Sequence, residues 1–304
     1  MDNKYVYLNH LNVARTFIEE GNKLKGLKFY KKAYSFDFGK NDIELLLDMA
    51  LIYHEFKQYN FAKEKYEEVL KLDPLEERAF YGLGTLYDDN KKYNAAKVYY
   101  KKAIELNENY DKAYFFLANI YDEEGNKDKA IKLYKKTLEI NKNDLWANAN
   151  LSCIYEEKED YKNAKIYIDN ALKIDKDNFR ILFNAGVVYK NLGYEKEAME
   201  FYRKSILKNQ EFPFSYLNLG VIYREREDYK TAIKIITEGI KNNINTAFLY
   251  YNRGCFYSLI NDNEKALEDI LKSIELDEFF IEYMKKDKEL DSIRDLKEYK
   301  LLFH

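Results

Sequence analysis

The stretch Glu77-Arg78-Ala79-Phe80-Tyr81-Gly82-Leu83-Gly84-Thr85-Leu86-Tyr87, followed by Ala96-Lys97-Val98-Tyr99-Tyr100-Lys101-Lys102-Ala103-Ile104-Glu105-Leu106, decides the fold. Phe80, Leu83, Gly84 and Tyr87 fall at helical spacing, Lys91 and Lys92 interrupt it, and Ala96, Tyr100, Ala103 and Leu106 resume it. Glu77–Tyr110 therefore reads as a hairpin of two helices. The pattern recurs every 34 residues: Ala62, Ala96, Ala130, Ala164, Ala198, Ala232 and Ala266 keep that register, and so do Tyr53, Tyr87, Tyr121, Tyr155, Tyr189, Tyr223 and Tyr257. Chance would produce the tyrosine series roughly once in a million sequences of this tyrosine content.

The period defines eight units starting at Tyr7, Ile43, Glu77, Asp111, Leu145, Phe179, Pro213 and Ala247, with two extra residues between the first and second. Residues 1–6 form a short lead, 7–280 the repeats and 281–304 a C-terminal cap. One place on the first helix is always small: Ala14, Ala50, Gly84, Ala118, Ser152, Gly186, Gly220 and Gly254. A minimal side chain there lets the two helices of a hairpin approach closely, and a large one would overpack the joint at about 1–3 kcal/mol. The second helix carries its own small row, Ala33, Val69, Ala103, Thr137, Ala171, Ser205, Gly239 and Ser273, where the next unit docks.

Composition agrees. Only 2 Pro and 11 Gly occur among 304 residues, with 34% charged and 46% apolar, which favours long helices over a turn-rich β protein. Fifty Lys plus Arg against 53 Asp plus Glu give a net charge of −3, lacking the positive field that draws nucleic acid. Ile43 to Tyr53 is interrupted by Glu44 and Asp48 and too short to span a bilayer, so no membrane partner is expected. The start, through Asn9, His10, Asn12 and Arg15, lacks a basic stretch followed by an apolar one, so a cytoplasmic address is the default. Cys153 and Cys255 sit at equivalent places three units apart, beyond the ~7 Å Cα separation a disulfide needs, and are expected as thiols.

With Lys71-Leu72-Asp73-Pro74 and Ala113-Tyr114-Phe115-Phe116-Leu117-Ala118, the units resemble tetratricopeptide repeats over residues 7–280. The resemblance implies an all-α solenoid: antiparallel helix pairs in a right-handed superhelix, with a concave groove lined by the first helix of each pair. The terminal proline of the family pattern is present only as Pro74, and Glu108, Lys142, Lys176 and Gln210 replace it elsewhere. Asn107, Asn109, Asn141, Asn143, Asp175 and Asp177 can supply that turn through side-chain hydrogen bonds. The glycine of the turn inside a unit persists only as Gly21, Gly125 and Gly193. Leu290, Ile293 and Leu296, among the charges of 287–301, suggest a final amphipathic helix covering the last repeat.

Catalytic chemistry has no constellation. His10, His54 and His304 fall at unrelated places, and no Walker-type loop, HExxH, CxxC or GxSxG occurs, so neither an enzyme nor a cofactor or metal is expected. Function should lie in the groove. Its central row is Leu11, Leu47, Tyr81, Phe115, Ala149, Phe183, Leu217 and Tyr251, and one turn on stand Arg15, Leu51, Thr85, Asn119, Cys153, Val187, Val221 and Cys255. Trp146, Phe214 and Phe248 open their helices on the same side, giving units five to eight an apolar wall. The competing reading packs these side chains between neighbouring first helices.

Asn12, Asn150, Asn184, Asn218 and Asn252 form an amide row suited to a peptide backbone, or to hydrogen bonds within the fold. Asp88, Asp89, Asp122, Glu123, Glu156 and Glu157, with Glu55, make an acidic lip near helix C-termini, where negative charge opposes the macrodipole. The lip would attract Lys or Arg of a partner, unless Lys91, Lys92, Lys127, Arg78 or Lys112 neutralises it. The absence of lysine from the central row disfavours the family's carboxylate-clamp mode. The chain thus reads as a monomeric, non-catalytic scaffold holding a peptide segment or helix of another protein. The alternatives are a self-associating solenoid, encouraged by 30 Tyr and 19 Phe, or a regulatory subunit.

Overall fold

The structure, a computed structural model, describes residues 3–303; Met1 and Asp2 of the lead and His304 lie outside the described residues. Those residues are helical with no strand among them, an all-α solenoid of antiparallel helix pairs. In chain order the helices are α1 (Asn3–Glu19), α2 (Lys23–Tyr34), α3 (Asp37–Lys40), α4 (Ile43–Glu55), α5 (Tyr59–Leu72), α6 (Glu77–Asp89), α7 (Tyr93–Leu106), α8 (Asp111–Glu123), α9 (Lys127–Ile140) and α10 (Leu145–Glu157). They continue with α11 (Tyr161–Ile174), α12 (Phe179–Asn191), α13 (Glu195–Lys208), α14 (Pro213–Glu225), α15 (Tyr229–Asn242), α16 (Ala247–Leu259), α17 (Asn263–Leu276), α18 (Phe280–Met284) and α19 (Lys297–Lys300). The chain divides within α10 into two compact units, Met1–Ala147 and Asn148–His304.

Each hairpin turns by the same device. The first helix ends on a residue at positive φ: Gly21, Gly125 and Gly193, but also Lys57, Lys91, Glu159, Glu227 and Asn261. The N–H of the following residue bonds back to the carbonyl of the periodic aromatic, as in Gln58 to Tyr53 and Lys92 to Tyr87 at 2.8 Å, and Asp228 to Tyr223 at 2.9 Å. This Schellman closure satisfies carbonyls the helix end would leave bare. The residue receiving the chain then caps the second helix: the side chains of Asn22, Asn126, Asp160 and Asp228 accept from Lys25, Lys129, Asn163 and Thr231 N–H.

Between hairpins, a short polar side chain holds the turn, both where the proline is missing and beside Pro74. Asn107, Asn141 and Asp175 Oδ1 accept from the N–H groups of Asn109, Asn143 and Asp177 at 3.0–3.2 Å, and Asp73 and Asn209 do the same for Leu75 and Glu211. Such bonds fix a tight turn without needing the proline ring.

In the first unit, Ala14, Ala50 and Ala118 are fully buried, and a Cβ on Gly84 would lie 2.6 Å from the Tyr100 ring. In the second, Ser152 is fully buried and a Cβ on Gly186 would lie 2.4 Å from the Tyr202 ring. The small rows therefore set the distance of helix approach within each unit.

The tail departs from the expected continuous helix over 287–301. It runs as α18, a 3₁₀ turn at Lys288–Leu290, non-helical turns and α19. Leu290, Ile293, Leu296 and Tyr299 recur every third residue, so on an α-helix each step would slip by about 60°, and Tyr299 would face away from Leu290. Broken into turns, the segment buries Met284, Leu290, Ile293 and Tyr299 together against Leu249 and Phe256 of α16.

Candidate interaction surfaces

In the unit ending at Ala147, the row expected to face a groove is largely taken up by its neighbours. Leu11 and Leu47 are buried. Tyr81 packs its ring 5.1 Å from Tyr110 and 6.0 Å from Tyr100, and Phe115 lies 5.8 Å from Tyr134. The second helix of the same hairpin, with the residue that opens the next, thus covers Tyr81 and Phe115, while Leu51 and Trp146 remain about half exposed, at 52% and 43%. Asn119 accepts a 2.5 Å bond from the Tyr134 hydroxyl.

The acidic lip of this unit is engaged by its own side chains. Asp88 accepts from the Tyr100 hydroxyl at 3.0 Å, Asp89 meets His54 Nε2 at 2.7 Å, and Asp122 pairs with Lys127 at 2.7 Å. Burial raises the Asp88 carboxyl above its ordinary range against the lowering effect of the tyrosine bond, with Glu123 and Asp89 adding to the rise. Glu123 is exposed, and its carboxylate raises the neighbouring Tyr93 hydroxyl above its ordinary range.

In the unit beginning at Asn148, five phenylalanines meet where first helices start. Phe183 lies 5.2 Å from Phe212 and 6.3 Å from Phe214; Phe214 lies 5.4 Å from Phe212 and 5.2 Å from Phe248, and Phe179 lies 5.1 Å from Phe212. Phe214 at the centre remains 46% exposed, with Val187, Leu217 and Val221 half-buried in the same unit. Pro213 begins α14 in a position where its missing N–H costs nothing, and so aims its two flanking phenylalanines from a fixed backbone. Phe179 and Phe212 were not assigned to the groove from sequence; the Phe212-Pro213-Phe214 run at a unit boundary is the signal that marks the latter.

Three amides of the asparagine row serve the fold through Nδ2: Asn184 donates to Cys153 Sγ at 3.4 Å, Asn218 to the Tyr202 hydroxyl at 3.4 Å, and Asn252 to the Phe248 carbonyl at 2.7 Å. None of these bonds uses Oδ1. Asn150 and Ala149 lie in the same unit, the latter buried. Glu156 accepts from Asn191 Nδ2 at 3.1 Å and is raised by burial and by neighbouring Glu157, which is exposed.

Tyr251 is not on an open wall. The tail covers it, leaving 7% exposed, and its hydroxyl donates to Asp287. Cys255 is buried beside it, its thiol 3.8 Å from Asp287 and pushed up by desolvation. Both cysteines are thiols. Among the described residues no helix is long and apolar enough to cross a membrane.

Comparison with known proteins places this architecture. Tetratricopeptide repeat models match residues 43–74, 147–178, 179–207 and 249–280, residues 89–150, and residues 215–246, together more than half of the chain. No curated protein sequence matches. Among solved structures, the chain is similar to one in the APC/C hetero-tetramer Cut9–Hcn1, at 17% identity and a TM-score of 0.59 over 94% of this chain and 55% of that one. It is also similar to a tetratricopeptide repeat protein from Parabacteroides merdae, at 20% identity and a TM-score of 0.59 over 86% and 99% of the two chains. A third likeness is to YrrB, described as a TPR protein with an unusual peptide-binding site, at 20% identity and a TM-score of 0.50 over 61% and 95%. The chain spans about half the length of the Cut9–Hcn1 chain it matches. These likenesses establish the fold.

Proposed function

Since the chain belongs to the tetratricopeptide repeat family, we propose that it is a non-catalytic interaction scaffold whose second unit holds an extended segment of a partner protein. The observation that carries this reading is the exposed Phe214 at the centre of the phenylalanine cluster, since clustered apolar surface left in water is costly unless a partner covers it. The partner segment brings bulky apolar side chains to that cluster, and its backbone N–H groups find acceptors in Oδ1 of Asn184, Asn218 and Asn252. The acidic lip is a weaker element: most of its carboxylates are already paired, and exposed ion pairs contribute little. A cytoplasmic monomer with hairpins starting at 7, 43, 77, 111, 145, 179, 213 and 247, capped by 281–304, is part of the same proposal.

Selection from a random peptide library against the immobilised protein tests it. Enrichment of peptides with paired aromatic or aliphatic residues is expected, with binding lost in Phe214→Ser plus Phe248→Ser. No enrichment, or unchanged affinity in the double variant, removes the proposal. A second reading, self-association through the chain's end, draws on Phe279 and Tyr283, whose rings lie 5.6 Å apart and are 64% and 60% exposed. Light scattering across a concentration series separates the two, because only self-association makes the mass rise.

A further inference from the structure

On the unit ending at Ala147, a second surface lies away from the groove row. Tyr114, Leu117 and Tyr121 sit roughly 130° round α8 from Phe115, Asn119 and Asp122. They floor a trough of about 400 Å³ whose walls are Ile104 of α7 and Leu133 of α9. The size falls in the range of functional pockets. The trough runs between two helices of 14 residues each, and its rim side chains are exposed, so it is open like a docking groove rather than closed over like a small-molecule cavity.

The rim is positive. Lys101, Lys129 and Lys132 stand around the apolar floor, and none of them is in an ion pair among the described residues. Glu105, the carboxylate at the rim, is held by Lys102 at 3.1 Å. Lys97 is taken by Glu124 at 2.5 Å, so that neighbouring charge is balanced. The Lys129 ammonium instead lies 5.0 Å from the centre of the Tyr121 ring, a cation–π contact that keeps it beside the floor. Three lysines in no ion pair among the described residues, around an apolar trough in a chain of net charge −3, define what complements them.

We infer that this trough is a second docking site, for an acidic amphipathic segment of a partner protein that seats leucine or phenylalanine on Tyr114, Leu117 and Tyr121 and sets carboxylates against Lys101, Lys129 and Lys132. The floor supplies affinity through apolar burial, and the lysines set orientation and a salt-sensitive association rate. The site stands whether or not either unit binds a partner in its groove.

The test uses the full chain and a fluorescein-labelled peptide, EELFEELFEE, with KKLFKKLFKK as the charge-reversed control. The acidic peptide should bind and the basic one should not. Lys129→Glu plus Lys132→Glu should weaken binding at least about tenfold, as should Lys101→Glu plus Lys129→Glu, while Lys230→Glu plus Lys234→Glu on α15 should leave it unchanged. Raising salt from about 0.05 M to about 0.5 M should weaken binding to the wild type more than to the trough variants. Circular dichroism melts confirm that each variant is folded. Absence of binding, equal binding of the basic peptide, or full affinity in both trough variants overturns the inference. So does binding of dodecanoate alone, which would mark a site for small anionic amphiphiles.

Discussion

The Arg253 guanidinium meets the Asp269 carboxylate in two parallel bonds, Nε to Oδ2 and Nη2 to Oδ1, each 2.7 Å, while Nη1 donates to Thr237 Oγ1 at 3.0 Å. Asp269 is 4% exposed, and its carboxyl is raised by burial against the lowering effect of Arg253. Most other hairpins place apolar residues at these two positions, such as Leu117 with Leu133 and Leu151 with Tyr167, although Lys65 stands opposite Met49 in one. The pair therefore replaces a hydrophobic contact inside one hairpin, and its value depends on both members being present. Arg253→Met should cost about 3–5 kcal/mol because it strands a buried carboxylate, whereas Arg253→Leu with Asp269→Leu should return to within about 1 kcal/mol of wild type or exceed it. Urea denaturation of the two variants decides this; a loss below about 1 kcal/mol in the single variant would contradict it.

Five hairpin turns hold a side-chain-bearing residue at positive φ, where Cβ crowds the carbonyl oxygen. Glu159→Gly and Glu227→Gly should each stabilise by up to about 1 kcal/mol, the relief exceeding the added freedom of the unfolded chain. Gly193→Ala, at φ 82°, should destabilise. Thermal melts showing the opposite order would exclude strain at these turns.

Glycines of the small row differ in what opposes them. A Cβ at Gly186 would sit 2.4 Å from the Tyr202 ring, which is buried and rigid, while at Gly220 it would meet the Ile236 Cδ1 methyl at 2.8 Å, the end of a flexible side chain. Gly186→Ala should therefore cost about 1–3 kcal/mol, and Gly220→Ala should be near neutral because helix propensity offsets the adjustment. Equal losses in denaturant titrations would show that both sites yield alike.

Asp88 carries a pH signature. Its folded-state carboxyl is raised above the unfolded value, so the native protein binds that proton more tightly. Stability from this group rises as pH falls from neutral through the raised value, and levels off below the ordinary carboxylate range. Asp88→Asn keeps an acceptor for the Tyr100 hydroxyl and removes the rise. The variant should match or exceed wild type at neutral pH and lose that advantage as pH approaches about 4. Unfolding titrations at both pH values check it; a variant that gains relative stability in acid would reverse the sign.

The hairpin period, its turns and its small rows are written in the sequence, because each depends on residues at most one period apart. Ala14, Ala50, Gly84 and Gly186 mark close helix approach wherever they stand, and Asn107, Asn141 and Asp175 announce their turns through short-range hydrogen bonds. The candidate surface was less legible. Spacing identifies which face of a helix Tyr81 or Tyr251 occupies, but not what lies over that face.

Spacing along one helix also says nothing of the cap. The tail's period of three hid its broken path, and only its packing on α16 revealed that Asp287 and Leu290 cover Tyr251 and its neighbours. Nor does the sequence disclose that Lys57 or Glu159 adopts a glycine's backbone, since closure of the hairpin imposes it. The sequence alone thus determined a repeated helical hairpin, because that information is local and restated in every unit. The tertiary structure decided which faces stay open and which charges find partners, because exposure and pairing are set by whatever else the chain brings to the same place.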